Sequence, residues 1–299
     1  MQLNLNNKVA VITGGSRGLG LAIAQVYARA GAKVVIASRS RQSVDSALQI
    51  LAAAGAQATG LACDVADLAQ VEALAAHAID TFGRIDIWVN NAGLSSPYGP
   101  TAHIPARTVT SVINTNILGT YNGSMVAMRY FIPQGSGKLI NLLGRGDTGS
   151  IKYQNAYSSS KVWVRNFTKT LASEYLSSGI EVIGFNPGLV LTDMLSQVHA
   201  VAGYEEKVNV VRYVAALWGN EAEVPAQKAL WLASSATDGK SGLMTTVLTP
   251  GFMLKRLFTT GFKMLLRLPV EMMDLNISSV EPVMALVPVV AEEIIDPRA

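Results

Sequence analysis

The sequence has few of the residues that build covalent or metal-bound sites. Cys63 is the only cysteine among 299 residues, so no disulfide can form within the chain. The three histidines, His77, His103 and His199, are far apart in sequence and lack ligand spacing. Because metal sites need clustered donors, we expect no metal centre. A lone cysteine suits a reducing compartment, which favours a cytoplasmic protein.

Charge and long apolar runs are also scarce. Charged residues make up 15% of the chain and the net charge is +3, without the basic and aromatic clusters that nucleic acid requires. No apolar run reaches the roughly 20 residues of a membrane span, and segment 1–7 is too polar for a signal peptide. Hydrophobic residues make up 49% of the chain, which supplies a large core and excludes a disordered chain.

Short β-branched runs alternate with alanine-rich helical segments through residues 1–250. The pattern predicts strands at 9–13, 33–38, 58–63, 85–90, 138–143, 180–185 and 243–248, and helices at 18–30, 41–54, 68–82, 107–131, 155–178 and 222–234. The strands are uniformly apolar, as in a parallel sheet covered on both faces. We therefore expect one α/β domain with a doubly wound, Rossmann-type sheet, which binds ligands at the carboxyl ends of its strands.

A glycine-rich turn follows the first predicted strand. It reads Thr13-Gly14-Gly15-Ser16-Arg17-Gly18-Leu19-Gly20 and leads into a helix. Glycines at 14, 18 and 20 allow a tight turn and let backbone amides approach a pyrophosphate at the helix N-terminus. Taken alone, such a turn is weak evidence, but its place between a strand and a helix is the one that dinucleotide binding requires.

The second predicted strand ends without a carboxylate. NAD enzymes usually place one here to hold the ribose 2′-hydroxyl, whereas this chain has Ser38 and Arg39. A hydroxyl and a guanidinium suit a 2′-phosphate, and Arg17 adds a second cation. The cofactor is therefore predicted to be NADP(H). The alternative is a solvated basic turn with no ligand.

Further motifs follow in order along the chain: Asn90-Asn91-Ala92-Gly93, Asn116, Tyr157-Ser158-Ser159-Ser160-Lys161, and Pro187-Gly188-Leu189-Val190-Leu191-Thr192. With the glycine-rich turn, they resemble the short-chain dehydrogenase/reductase family. The resemblance implies an oxidoreductase with strand order 3-2-1-4-5-6-7 that assembles as a homodimer or homotetramer.

The resemblance also implies roles for individual residues. Tyr157 would exchange a proton with the substrate oxygen, Lys161 would tune Tyr157 and bind the nicotinamide ribose, and Asn116 would hold a water in the proton relay. The implied cofactor-binding residues are Gly14, Ser16, Arg17, Gly18, Leu19, Gly20, Ser38, Arg39, Asp64, Val65, Asn90, Ala92, Gly93, Tyr157, Lys161, Pro187, Gly188, Val190 and Thr192.

The spacing of the tyrosine and lysine has a physical reason. Tyr157 and Lys161 are four residues apart on a predicted helix, so they share a face. An unperturbed tyrosine has a pKa of about 10, and a neighbouring ammonium lowers the pKa by stabilising the phenolate. We therefore expect the lysine to bring the Tyr157 pKa closer to neutrality.

One position departs from the family pattern. The family usually has a serine 13 residues before the tyrosine, which polarises the substrate carbonyl, and here that position is Gly144. In other enzymes, loss of such a donor costs roughly 3–4 kcal/mol of transition-state stabilisation. Three interpretations stay open: Thr148, Ser150 or Asn155 substitutes, the substrate occupies the space or needs less polarisation, or the chemistry is not carbonyl reduction.

Three further residues are weaker candidates. Asp147 is expected to be a solvated loop charge, with an acid or base role as the alternative. Tyr153, four residues before Tyr157, either lines the substrate pocket or packs. His103 follows the fourth strand and is a candidate for substrate contact.

Residues 251–299 form an extension that the core fold does not need. Within 254–268, apolar residues recur at helical spacing, with Lys255, Arg256, Lys263 and Arg267 on the other side. Such a helix packs on the core or a partner subunit, caps a pocket, or lies on an anionic membrane. Segment 280–295 is expected to pack over the same region.

Together these features predict hydride transfer between NADPH and a carbonyl or alcohol carbon of a lipophilic small molecule. Gly144 keeps two alternatives open. One is a non-redox enzyme on the same fold, such as an isomerase, dehydratase or cyclase. The other is an NADP-binding regulator without turnover, against which the intact Tyr157 and Lys161 argue.

Overall fold

Seven of the apolar runs form one parallel sheet. The computed structural model describes residues 3–283, except positions 267, 269 and 271. The strands of this sheet are β1 (Val9–Thr13), β2 (Lys33–Ser38), β3 (Ala58–Ala62), β4 (Ile87–Asn90), β5 (Gly137–Leu142), β6 (Ile180–Asn186) and β10 (Met244–Thr246). Their order is β3-β2-β1-β4-β5-β6-β10, and every neighbouring pair is parallel. The predicted α/β doubly wound fold and its strand order are confirmed.

Helices cover both faces of the sheet, each burying an apolar stripe. On one face lie α1 (Gly18–Arg29), α2 (Arg41–Ala53) and α10 (Glu223–Ala233); on the other lie α3 (Leu68–Phe82), α5 (Gly119–Gln134) and α6 (Asn155–Glu174). Tyr27 is fully buried in the first layer and its hydroxyl donates to the carbonyl of Ala229 at 3.0 Å. Trp88 and Phe131 are buried in the second layer. Helices therefore shield both faces of the sheet from water, which explains the apolar sequences of the strands.

The helix predicted at 107–131 is not regular. It consists of α4 (Ala106–Val112), a π-helical turn at Ile113–Leu118, and α5. The π turn contains Asn116, whose side chain is fully buried. Single π turns are frequent at functional sites, and this one adjoins the cavity described below.

The sequence did not predict the elements between residues 187 and 220. Strand β7 (Leu189–Val190) pairs with β9 (Gly219–Asn220), and between them lie α7 (Asp193–Ser196), β8 (Gln197–Val201), α8 (Glu205–Val208) and α9 (Val210–Trp218). All six elements have nine residues or fewer, which is too short for a clear period in hydrophobicity.

The C-terminal extension contributes a helical run and a strand. The run comprises α11 (Pro250–Arg256), a π turn at Leu257–Gly261, and α12 (Phe262–Leu265). Strand β11 (Asn276–Val280) pairs with β8 in a separate two-stranded parallel sheet. The predicted tail helix is present from Pro250 onwards. Arg267 and most of the predicted segment 280–295 lie outside the described residues.

Among the described residues, no helix has the length and apolar character needed to cross a bilayer.

Candidate active site

The glycine-rich turn is held in shape by the asparagine that follows β4. The Asn91 side-chain amide donates to the carbonyls of Thr13 at 2.9 Å and Gly14 at 3.1 Å. A Cβ on Gly20 would overlap the Gly14 carbonyl and the Asn91 amide. Gly14 and Gly18 have φ of +64° and +54°, a conformation that side chains disfavour. The turn therefore depends on its glycines.

The N-terminus of α1 is open toward a cavity. Arg17 precedes the helix, and its side chain does not cap the first turn. The first backbone N–H groups of a helix are unpaired and carry partial positive charge, which favours an anionic ligand such as a pyrophosphate.

The cavity has a volume of about 530 Å³ and follows the carboxyl ends of the strands. Nearly all residues predicted to bind cofactor line it. They are Gly14, Ser16, Arg17, Gly18, Leu19, Gly20, Ser38, Arg39, Asp64, Val65, Ala92, Gly93, Tyr157, Lys161, Pro187, Gly188, Val190 and Thr192, and Gly144 lines it too.

The cationic end of the cavity lies after β2. Ser38 and the exposed Arg39 line the cavity there. Arg17 lines the same cavity, and its guanidinium lies 3.7 Å from the Asp193 carboxylate. Both partners of that pair are mostly exposed, so the pair is weak. The positive charge of Arg17 therefore remains available to an anion.

Asn90 differs from the other predicted cofactor residues because it does not line the cavity. Its side chain accepts from Trp88 Nε1 at 2.9 Å and donates to Ser124 Oγ at 3.0 Å and Asn141 Oδ1 at 2.8 Å. These contacts form a buried polar network between β4, β5 and α5. Its amide therefore fixes the sheet to α5, while the neighbouring Asn91 lines the cavity.

Tyr157 and Lys161 meet at the wall of the cavity. The Lys161 ammonium is buried, lies 5.8 Å from the centre of the Tyr157 ring and donates to the Leu142 carbonyl at 3.0 Å. Burial lowers the pKa of Lys161 to about 8. Burial also raises the pKa of Tyr157 to about 12, with the Asp147 carboxylate adding to the rise and the Arg145 guanidinium opposing it. The expected lowering of the Tyr157 pKa is thus reversed, because desolvation outweighs the neighbouring charges.

Asn116 lies behind this pair, outside the cavity lining. It is fully buried, accepts from Leu94 N at 2.8 Å and donates to the Leu94 carbonyl and to Ser160 Oγ, both at 3.0 Å. These contacts attach the π turn to α6 and to the segment after β4. The geometry makes Asn116 a positioning residue; a water relay through it stays a prediction.

Gly144 is in direct contact with Tyr157. A Cβ at this position would overlap the Tyr157 hydroxyl and approach Lys161 Cε at 3.4 Å. The position at which the resemblance implies a serine therefore has no free space for a side chain, because the Tyr157 phenol occupies it.

Asp147 is not a solvated loop charge. It is 6% exposed, forms a 2.7 Å ion pair with Arg165 and accepts from Asn186 Nδ2 at 3.0 Å. The same Asn186 amide donates to the Gly144 carbonyl at 3.1 Å. Asp147 therefore fixes the loop that carries Gly144, because a buried carboxylate requires such partners.

Several other candidates lie away from the cavity. Thr148, Ser150 and Asn155 are exposed and do not line it. Tyr153 packs its ring between Tyr98 and Tyr204, at centroid distances of 5.3 and 5.2 Å. His103 is exposed on a short 3₁₀ turn. None of these five residues belongs to the cavity lining; substrate contact by Tyr153 or His103 stays a prediction.

Three polar residues that were not predicted as site residues, Arg145, Gln154 and His199, line the cavity. Arg145 and Gln154 line the wall beside Gly144, and His199 lines the outer part while contacting Ser278 at 2.5 Å. The sequence signal for Arg145 was its position next to the missing serine. His199 had no signal, because its placement depends on the pairing of β8 with β11. Among the described residues, no three histidines, cysteines or carboxylates cluster as a metal site would require.

Comparison with known proteins shows the family of this chain. Residues 8–202 match the family model for short chain dehydrogenases. The chain belongs to the short-chain dehydrogenase family. Among curated relatives, D-threitol dehydrogenase of Mycolicibacterium smegmatis is 32% identical over 190 residues, covering 64% of this chain and 73% of the relative.

Solved structures of this family resemble the fold closely. A single-substitution variant of actinorhodin polyketide ketoreductase with NADPH superposes with a TM-score of 0.73 at 26% identity, covering 80% of this chain and 95% of the other. The 3-ketoacyl-(acyl-carrier-protein) reductase of Brucella melitensis, complexed with NADH, has a TM-score of 0.72 at 25% identity, covering 81% and 97%. This short-chain dehydrogenase is therefore an oxidoreductase with a nicotinamide cofactor.

Proposed function

We propose that this short-chain dehydrogenase uses NADPH to reduce a carbonyl group of a lipophilic small molecule. The observation that carries the proposal is that one cavity joins a cationic end without a carboxylate on β2 to a protonated Tyr157 beside Lys161. The first feature favours NADPH and the second favours reduction.

The cofactor preference rests on Ser38, Arg39 and Arg17. A 2′-phosphate accepts charge-assisted hydrogen bonds from guanidinium groups, and no carboxylate after β2 repels it. The glycine-rich turn packs so closely on Asn91 and Ala92 that side chains at Gly14 and Gly20 would clash, and it brings the uncapped N-terminus of α1 to the cavity, where backbone amides favour a pyrophosphate. The cationic donors and the helix N-terminus both fit NADPH.

The chemistry divides between cofactor and protein. The residues of the glycine-rich turn and of the segments after β2 and β6 would hold NADPH, which would supply the hydride for the carbonyl carbon. A tyrosine whose pKa is raised to about 12 is protonated at neutral pH, so Tyr157 donates its proton to the carbonyl oxygen. Lys161 stabilises the resulting phenolate through its charge, and solvent then returns a proton to Tyr157.

The polarising donor that a serine would supply must come from another residue. Arg145 adjoins Gly144, lines the same wall and lowers the pKa of Tyr157 electrostatically. A guanidinium that stabilises negative charge on the phenolate also stabilises charge that develops on a substrate oxygen. We assign this role to Arg145.

The lipophilic substrate class follows from the outer walls of the cavity. Their shared property is an aliphatic surface contributed by the segments after β4, β5 and β6 and by α8 and α9: Leu94, Leu143, Leu189, Leu191, Met194, Leu195, Val198, Val208, Val211 and Val214. Apolar walls with few polar groups bind ligands mainly by burial of apolar surface.

A non-redox reaction is the second candidate, and Gly144 favours it. Carbonyl reduction and a non-redox reaction are distinguished by incubating the protein with NADPH deuterated at C4 and a pool of hydrophobic ketones and enones. With the wild type we expect deuterium in a product. With Tyr157→Phe the amount of label should fall at least about 100-fold. With Arg145→Leu it should also fall. A chemical change without label would favour the isomerase, dehydratase or cyclase. NADPH binding with neither label nor chemical change would favour the regulator.

A further inference from the structure

The helical run Pro250–Leu265 presents its apolar side to solvent. The outward residues of this run, with Leu266 and Leu268 after it, have large apolar side chains that are 49% or more exposed, with Phe258 at 70% and Leu265 at 77%. The set, which we call the apolar face, is Leu254, Leu257, Phe258, Phe262, Leu265, Leu266 and Leu268. Seven such residues within 15 positions form a contiguous patch of the kind that marks an interaction site.

The orientation of this helical run is set by its other side. Trp218 Nε1 donates to the Met253 carbonyl at 3.4 Å, and Arg256 Nη2 donates to the Gly219 carbonyl at 3.2 Å. The Arg256 guanidinium also lies 5.6 Å from the centre of the Phe252 ring. Rotating the run to bury the apolar face against α9 would break these contacts.

The charge of this segment has one sign. Residues 250–268 contain Lys255, Arg256, Lys263 and Arg267 and no acidic residue. Lys255 and Lys263 are exposed beside the apolar face. A helix with bulky apolar residues on one side and flanking cations binds anionic lipid surfaces.

We propose that the apolar face docks this protein onto a membrane surface that contains anionic lipids. The leucines and phenylalanines enter the boundary between headgroups and acyl chains, while Lys255 and Lys263 contact headgroup phosphates. A second copy of the chain would fit this surface less well. In a two-fold pairing the apolar face would meet itself, bringing the same cations together without a carboxylate to neutralise them.

The docked surface adjoins α9, a helix that lines the cavity. Helix α9 packs against both α11 and the following π turn, and its Val211 and Val214 line the cavity while Val210 and Tyr213 are exposed. A lipophilic substrate would therefore reach the cavity along α9 from the bilayer. This consequence rests on the proposed function, whereas the docking itself does not.

Vesicle sedimentation tests the docking without any turnover. The full chain is mixed with vesicles of phosphatidylcholine alone or with phosphatidylserine added. We expect binding to the phosphatidylserine vesicles, weakened about 30-fold by Lys255→Gln with Lys263→Gln, since each basic residue near the surface contributes about 1 kcal/mol. Phe258→Ser with Leu265→Ser should abolish binding.

Matched controls change similar residues far from the apolar face. Leu176→Ser removes a leucine that is equally exposed, and Lys169→Gln removes an exposed cation on α6; both should bind vesicles as the wild type does. Unchanged NADPH binding would show that each variant is folded.

Two results would overturn the proposal. One is absence of wild-type binding to phosphatidylserine vesicles. The other combines two observations: the wild type does not bind vesicles, and the variant Phe258→Ser with Leu265→Ser forms a smaller assembly than the wild type in sedimentation equilibrium. Together they would make the apolar face a contact between copies of the chain. Failure of the deuterium experiment would leave the docking result unaffected.

Discussion

The two sides of the cavity differ in how they are built. The cofactor side, formed by the ends of β1 to β4, consists of sharp turns that neighbouring strands of the main sheet bring together, and the Asn91 side chain joins the end of β4 to the turn after β1. The other side, which we call the substrate side because the proposed substrate would lie there, is formed by residues 193–220 and the C-terminal extension. It consists of short elements held by contacts between distant segments, such as β8 with β11. The comparison teaches that the cofactor side is built on the main sheet, whose strands are recognisable in the sequence, whereas the shape of the substrate side depends on how the C-terminal extension packs.

The largest expected effect concerns Arg39, the cation that follows β2 on the cofactor side. Arg39→Gln should weaken NADPH binding about 10- to 100-fold, because it removes a charge-assisted hydrogen bond to the 2′-phosphate. NADH binding should be unchanged. Isothermal titration with both cofactors measures the difference. Arg41→Gln is the matched control, since Arg41 pairs with Asp45 on α2 instead of lining the cavity. Equal losses of affinity for NADPH and NADH would show that Arg39 does not bind the 2′-phosphate.

The wall where the two sides meet is tested at Gly144. Gly144→Ala and Gly144→Ser should both lower kcat about 10-fold, because a Cβ there displaces the Tyr157 hydroxyl. Steady-state kinetics with the substrate found by deuterium transfer would measure this. If Gly144→Ser raised kcat while Gly144→Ala lowered it, the missing hydroxyl, and not the space, would limit the reaction.

A smaller effect would sharpen the comparison from the substrate side. Leu275 is buried against Ala200 and Val208, and Val208 lines the cavity. Leu275→Ser should raise the substrate KM about 3- to 10-fold, because a smaller fraction of the molecules would have an ordered cavity wall at Val208. NADPH affinity should stay the same, and Leu176→Ser is the exposed control. A parallel loss of NADPH affinity would contradict the separation of the two sides.

The smallest expected effect concerns stability, and it depends on pH. The Lys161 pKa is lowered from 10.5 to about 8 by burial, so the unfolded chain binds more protons than the folded chain between these values. The wild type therefore gains stability as pH rises from 8 to 10.5. Lys161→Met should be more stable than wild type at pH 7 by about 1–2 kcal/mol, after allowing for the lost hydrogen bond to Leu142.

Urea denaturation from pH 7 to pH 10.5 measures that difference. It should shrink across the upper part of the range, because the variant lacks the titrating group. A constant difference would mean that burial does not destabilise the charged Lys161.

The sequence predicted the seven sheet strands to within two residues at most ends because each is a continuous apolar run bounded by polar or glycine residues. It predicted the glycine-rich turn and the Tyr157–Lys161 pair for a similar reason, since their function depends on spacing within one segment. The prediction was wrong about Asp147, which reads as a loop charge but is buried by Arg165 and Asn186. Its burial depends on partners 18 and 39 residues away.

The sequence by itself determined the fold, the turn that receives a dinucleotide, the missing carboxylate after β2 and the loss of the serine at Gly144. All of these depend on residue type or on short-range periodicity. Only the tertiary structure decided that Asn90 faces the core, that Tyr157 occupies the position beside Gly144, that Arg145 and His199 reach the cavity, and that the apolar face points outward. Each of those outcomes depends on which distant segments pack together and remove water, and short-range sequence patterns do not encode that.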